Sequence, residues 1–208
     1  MTRKVIVSDP PYQATDLPWD IAPLEKIREL SEGVDALILC CNHKLLSDLI
    51  KLGMRQPFHD LIIWNKSPTR SWVSYRKPLR SCELVSFWGT ANNFDFRKSL
   101  EPQPPYAANR KGKKIHFHER ERKPSTCSYK MWEQIWDIPV VPYKEKIHPT
   151  QKPLDLMTRL VTIATLGQPD TLIIDPFEGS GTTRKACEAL GIPYEGSDSG
   201  DWQKEFSK

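Results

Sequence analysis

The chain has 208 residues, 38% hydrophobic and 27% charged, with a net charge of +4. No apolar run approaches the roughly 20 residues that a membrane-crossing helix needs, and the five cysteines are scattered without a Cys-x-x-Cys pair, which disfavours a disulfide framework. These features predict a cytoplasmic globular protein with its own core, and the opening run Val5, Ile6, Val7 lacks the profile of a signal peptide.

In chain order, residues 5–7 read as a buried strand that runs into Asp9-Pro10-Pro11-Tyr12, where two prolines forbid ladder bonding and helix continuation. Helical apolar spacing follows over 24–30, an apolar strand over 34–41, and a helix through Leu45, Leu46, Leu49 and Ile50 that stops at Gly53. Residues 61–64 and 84–88 are further strand candidates. From 89 to about 140 periodicity gives way to prolines, Asn and basic residues interleaved with aromatics, the signature of an insert. Residues 153–165 form a helix opened by a proline, 171–174 a strand, 175–181 a glycine-containing turn, 182–190 a helix stopped by Gly191, and 193–197 a short strand. Alternating strands and helices on both sides of the insert predict an α/β fold, an open, mostly parallel sheet with helices on both faces.

Three motifs carry chemistry. Asp9 to Tyr12 sits at the carboxyl end of a strand, where open α/β sheets place their ligands. An exocyclic base amine delocalises its lone pair into the ring and becomes nucleophilic only when acceptors take its two hydrogens. Asp9 and the Pro10 carbonyl, stiffened by Pro11, can supply both acceptors, and Tyr12 can stack on the base. On these four residues alone a plain surface turn explains the pattern equally well.

The second motif is Asp175-Pro176-Phe177-Glu178-Gly179-Ser180-Gly181-Thr182-Thr183. Its glycines allow close backbone approach and its helix start suits a carboxylate. The lysine of a phosphate loop is absent, since Thr182 follows Gly181, which argues against a nucleotide triphosphatase. Asp198, beyond the next strand, is placed to accept ribose hydroxyls, with Glu195 as the alternative. The third motif, His148-Pro149-Thr150-Gln151-Lys152-Pro153, offers donors for a cofactor carboxylate or, more plainly, a helix entry.

In this order the three motifs resemble the amino-methylating DNA methyltransferases of the permuted β group (N6-adenine/N4-cytosine-specific), in which the catalytic motif precedes the cofactor motif. Trp136 to Pro139, and Glu83 with the strand after it, also resemble their counterparts. The resemblance implies a Rossmann-like methyltransferase fold, S-adenosyl-L-methionine as cofactor and double-stranded DNA as partner, in a bacterial or phage-encoded protein, with a homodimer among the assemblies it allows. Residues 1–89 would form the catalytic half, 90–140 a target-recognition insert and 141–208 the cofactor-binding half.

Carried over by position, Asp9, Pro10, Pro11 and Tyr12 would hold the target base. His148, Thr150, Gln151, Lys152, Asp175, Phe177, Gly179, Gly181, Thr182, Thr183 and Asp198 would surround the cofactor. The surplus of basic residues in the insert makes Arg110, Lys111, Lys113, Lys114, Arg120, Arg122 and Lys123 the expected DNA contacts. Two departures stand out: Glu178 occupies a position that is usually uncharged, and the chain is short at both ends around the motifs, leaving the strand that borders the cofactor adenine unaccounted for.

No metal is expected, because His116, His118 and Cys127 lack zinc-ligand spacing. Methylation at cytosine C5 is disfavoured because no cysteine follows a proline. Asp at position 9, where Ser would point to cytosine N4 and Asn to protein glutamine methylation, favours adenine N6. An inactive DNA-binding relic of the fold is the rival of a different class.

Overall fold

A computed structural model describes residues 2–13, 20–66, 75–76, 80–101 and 129–199. Its elements run β1 (Arg3–Ser8), α1 (Leu24–Ser31), β2 (Ala36–Cys41), α2 (His43–Leu52), β3 (Phe58–Asn65), β4 (Cys82–Trp88), β5 (Ile135–Asp137), α3 (Leu154–Thr165), β6 (Thr171–Asp175), α4 (Thr182–Leu190) and β7 (Tyr194–Gly196). The strands form one sheet in the order β5-β3-β4-β2-β1-β6-β7. Strand β1 pairs parallel with both β2 and β6, β6 with β7 and β3 with β5, while β4 runs antiparallel to β2 and β3. The sheet is thus mostly parallel.

Side chains on successive strand residues point to opposite faces, so a strand buried throughout must be covered on both sides. All six residues of β2 are buried. On one face Leu37, Leu39 and Cys41 pack with Ile6, Ile27 of α1 and Leu45 and Leu49 of α2. The opposite face, carrying the buried Val5, Val7 and Ile173, is covered by α3, which packs on β1, β6 and α4 and buries Leu156, Met157, Leu160, Val161, Ile163 and Ala164.

The sequence reading has no strand at 135–137. Three residues are too few for an alternating pattern to register, and both Ile135 and Asp137 are exposed. Strand β5 is held by Trp136, which is buried, and Trp64 Nε1 donates to the Ile138 carbonyl at 2.7 Å just beyond it.

The chain divides into two compact units, Met1–Asp95 with Glu133–Lys208, and Phe96–Trp132. Within the smaller unit the described residues form an antiparallel bridge between Arg97 and Met131, flanked by backbone bonds from Lys98 to Lys130 and from Trp132 to Phe96. Arg97 lies over the Tyr129 ring and Lys98 over the Trp132 ring, each at 4.8 Å. Arg110, Lys111, Lys113, Lys114, Arg120, Arg122 and Lys123 lie outside the described residues. No helix is long and apolar enough to cross a membrane among the described residues.

Candidate active site

The neighbouring parallel strands β1 and β6 end side by side, with Ile6 opposite Ile174. The two motifs that follow them therefore meet at the carboxyl edge of the sheet. Ser8 Oγ donates to Asp175 Oδ1 at 2.5 Å, joining the strand ends directly. A cavity of about 400 Å³ opens there. It is lined by Asp9, Pro10, Pro11 and Tyr12 of the first motif and by His148, Thr150, Gln151, Lys152, Asp175, Phe177, Gly179, Thr182, Thr183 and Asp198 of the segments predicted to surround the cofactor. Gly181 is not on its wall; it has φ +69°, in the left-handed region, and is the N-cap of α4.

Asp175 organises the second motif. Its Oδ1 accepts the Ser8 hydroxyl and the Phe177 N–H, and Thr183 also bonds the carboxylate from the first turn of α4. Burial pushes its carboxyl up to about 6, against the pull of these donors. Gly179 has φ +50° and lies against the His148 ring, whose Nε2 would stand 3.4 Å from an added Cβ. Burial lowers His148 to about 4, so its ring is neutral, and Thr150 N–H lies 3.3 Å from its Nδ1, which leaves the ring proton on Nε2. The Asp198 carboxylate accepts the Gly179 N–H at 2.8 Å. Glu178 meets Arg184 at 3.0 Å, so the unusual charge in the turn is neutralised by the helix that follows it.

The first motif is pinned by residues with no role in the sequence reading. Asp20 Oδ1 accepts the N–H groups of both Tyr12 and Gln13 at 2.9 Å, holding Gln13 at φ +55°. Asn42 has two functions: Oδ1 caps α2 by accepting the Leu45 N–H at 2.8 Å, and Nδ2 donates to the Tyr12 carbonyl at 2.9 Å. Asn42→Ala is expected to cost about 1 kcal/mol through the lost cap. Asn42→Asp should keep that stability in a thermal melt yet lower turnover about tenfold by releasing Tyr12. Equal turnover in Asn42→Asp and wild type would remove Asn42 from loop positioning.

Lys152 is the central cation. Its Nζ donates to Asp9 Oδ2 at 2.6 Å and to the Tyr12 hydroxyl at 3.1 Å, and lies 3.3 Å from Glu83 Oε2. The Tyr12 hydroxyl donates to the same Glu83 oxygen at 2.9 Å, and Lys66 pairs with Oε1 at 2.8 Å. Two ammonium and two carboxylate groups thus balance in a space largely closed to water. Burial would raise Glu83, but Lys152 and Lys66 outweigh it and hold the acid at about 2. Burial likewise disfavours the charge on Lys152, yet Asp9 and Glu83 keep it well above its usual value. For Asp9 burial wins over Lys152, and its carboxyl is pushed up to about 7. Asp9 Oδ1 is buried and has no hydrogen-bond partner among the described residues.

Glu83 had one faint sequence signal, a carboxylate at the entry of an apolar strand. Asp20 and Asn42 had none as site residues, because nothing local links them to Tyr12.

The family model of the N6/N4 DNA methylases, described as DNA methylase, matches residues 41–206. This chain belongs to the DNA methylase family. The match takes in the His148 and Asp175 motifs of this chain and begins after Asp9. Among curated relatives, the Type II methyltransferase M2.MboI of Moraxella bovis is 42% identical over 91 residues, which are 42% of this chain and 33% of that protein. The Type II methyltransferase M2.LlaDCHI of Lactococcus lactis subsp. cremoris is 32% identical over 99 residues, 46% of this chain and 35% of its own. The aligned stretch thus spans about a third of either relative.

Solved structures share this fold. The crystal structure of the M1.HpyAVI–SAM complex superposes with a TM-score of 0.60 at 22% identity, covering 100% of this chain and 87% of that one. The PvuII DNA methyltransferase, cytosine-N4-specific, superposes at 0.61 and 11% identity, covering 99% and 78%.

Proposed function

We propose that this methylase transfers a methyl group from S-adenosyl-L-methionine to the exocyclic amino nitrogen of a base in double-stranded DNA, adenine N6 being the target. The observation that carries the reading is the buried Oδ1 of Asp9, which has no hydrogen-bond partner among the described residues, in a cavity shared with the glycine turn 175–183. Family membership supports the chemistry, and the SAM complex of M1.HpyAVI supports the cofactor.

The residues present fit that cofactor. A cavity of about 400 Å³ lies within the range of small-ligand sites, roughly 300–1,000 Å³. The start of α4 offers backbone N–H groups to a carboxylate, and Thr150 and Asp198 line the same cavity, Asp198 against the glycine turn through the Gly179 N–H. When bound, S-adenosyl-L-methionine supplies an electrophilic methyl carbon on a sulfonium centre.

The rest falls to the chain. A base swung out of the duplex brings its amino group to Asp9 and the Pro10 carbonyl, which accept its two hydrogens and localise the nitrogen lone pair. The stiff Pro10-Pro11 backbone keeps both acceptors in place without reorganisation, and Tyr12 offers a ring fixed through its hydroxyl. Asp9 Oδ1 then takes the proton that the substituted amine sheds. Cytosine N4 presents the same amine to the same acceptors and is the second reading; the carboxylate at position 9 favours adenine.

Calorimetric titration with S-adenosyl-L-methionine tests the cofactor half. Saturable binding at one site is expected, and no binding would reduce the chain to a DNA-binding relic of the fold. The insert supplies the DNA contacts in this reading. Replacing Lys111, Lys113 and Lys114 with Gln should weaken DNA binding and flatten the slope of log K against log salt by about 2.7, at roughly 0.9 per phosphate lost. An unchanged slope would take the three lysines out of the interface.

A further inference from the structure

The two oxygens of Asp9 are not equivalent. Oδ2 lies 2.6 Å from Lys152 Nζ, whereas the buried Oδ1 has no hydrogen-bond partner among the described residues. Lys152 is itself shared, because Glu83 Oε2 stands 3.3 Å from the same ammonium and the Tyr12 hydroxyl 3.1 Å from it. Lys66 takes the other Glu83 oxygen, so Glu83 cannot turn away from Lys152 without breaking a second ion pair.

We propose that Lys152 and Glu83 are a positioning pair: Lys152 anchors Asp9 through Oδ2 so that Oδ1 faces the target amine, and Glu83 keeps the ammonium from being given wholly to Asp9. This rests on the reading of Asp9 as the amine's acceptor. It differs from the sequence expectation for Lys152, which placed that side chain on the cofactor carboxylate.

The physical reason for the division is a balance of opposite demands. An acceptor bonded on both oxygens to a cation would be a weak base towards an amine, and one without a cation in a dry site would hold a proton and offer one acceptor oxygen fewer. A single ammonium on Oδ2, shared with a second carboxylate, meets both demands. The charged and titratable groups around Asp9 are Lys152 before α3, Glu83 on β4, Asp175 on β6, Tyr12 in its own loop and Cys40 on β2. Lys66 and Lys146 act on it through Glu83 and Lys152. Among these, Lys152 and Glu83 have the strongest influence and opposite signs.

The test uses the full chain with Lys152→Met and Glu83→Gln, the second keeping an oxygen for the Tyr12 hydroxyl. The titration of Asp9 is followed by carboxyl ¹³C NMR, and turnover is followed against pH. In wild type the midpoint is expected near 7. Lys152→Met should move it to higher pH and Glu83→Gln to lower pH. Turnover should fall about 100-fold in Lys152→Met and about tenfold in Glu83→Gln, with cofactor Kd changed less than about threefold in either.

Midpoints that move in the same direction, or not at all, would overturn the proposal. So would a Lys152→Met variant whose cofactor Kd rises more than about tenfold with the Asp9 midpoint unmoved, which would put Lys152 on the cofactor. If wild type methylates no base, the functional reading fails, and the NMR midpoints still decide the pairing. Should Lys152→Met fail to fold, the near-isosteric Glu83→Gln decides by the sign of its shift.

Discussion

Asp9→Ala is expected to lower kcat about a thousandfold while leaving cofactor Kd within about threefold of wild type, since it removes an acceptor used as charge develops on the amine rather than in cofactor binding. The fold should survive the change. Lys152, the partner of Asp9, retains Glu83 at 3.3 Å and the Tyr12 hydroxyl at 3.1 Å, so the ammonium is not left alone in the interior. Asp9→Asn preserves a carbonyl acceptor without its charge and should recover part of the loss. Single-turnover kinetics with saturating cofactor separate the two variants from binding defects. Turnover near the wild-type rate in Asp9→Ala would sink the assigned mechanism.

Asp175→Ala should have the other large effect, here on the fold and the cofactor loop together. It would strip the acceptor from the buried Ser8 and Thr183 hydroxyls and from the Phe177 N–H. At about 1–3 kcal/mol for each buried donor left unsatisfied, and with partial relaxation, a loss of about 3 kcal/mol is expected in urea unfolding. That is a large share of a typical domain's stability of about 5–15 kcal/mol. Cofactor Kd should rise about 100-fold as residues 176–181 lose their anchor. A loss below about 1 kcal/mol would show that the loop is held by other contacts.

Asp175→Asn adds a pH signature. The folded-state carboxyl of Asp175 titrates near 6, above the ordinary range near 4, so its stabilising contribution is complete at low pH and is lost as pH rises through 6. The asparagine does not titrate. The variant should therefore gain stability relative to wild type between about pH 4 and 6 and then level off.

What could be read from the sequence was whatever a short segment determines by itself. Asp9 to Tyr12 carries its own rigidity in two prolines, and the glycines at 179 and 181 mark positive-φ positions that other residues rarely adopt. Strand β2, buried on both faces, reads as an unbroken apolar run for the same local reason. The cavity to which both motifs contribute follows from the parallel pairing of β1 and β6, whose strands end side by side.

The parts that were not legible depend on contacts distant in sequence. Lys152 reaches Asp9 across 143 positions, and Tyr12 reaches Glu83 across 71. A lysine before a helix and a glutamate at a strand entry look ordinary until the sheet brings them together. Asn42 was hidden differently: its capping role is visible locally, while its bond to the Tyr12 carbonyl exists only because β1 and β2 are neighbours. The three-residue strand β5 is specified by a buried Trp136 and its pairing with β3, not by a pattern of its own.

Incubating the protein with tritiated S-adenosyl-L-methionine and unmethylated DNA, then digesting the DNA to nucleosides and separating the labelled base by chromatography, identifies the atom that receives the methyl group. Label is expected in N6-methyladenine, abolished by Asp9→Ala. Label in N4-methylcytosine would retain the mechanism and contradict the choice of base. No labelled base of any kind from protein that binds the cofactor and the DNA would rule out methyl transfer to DNA.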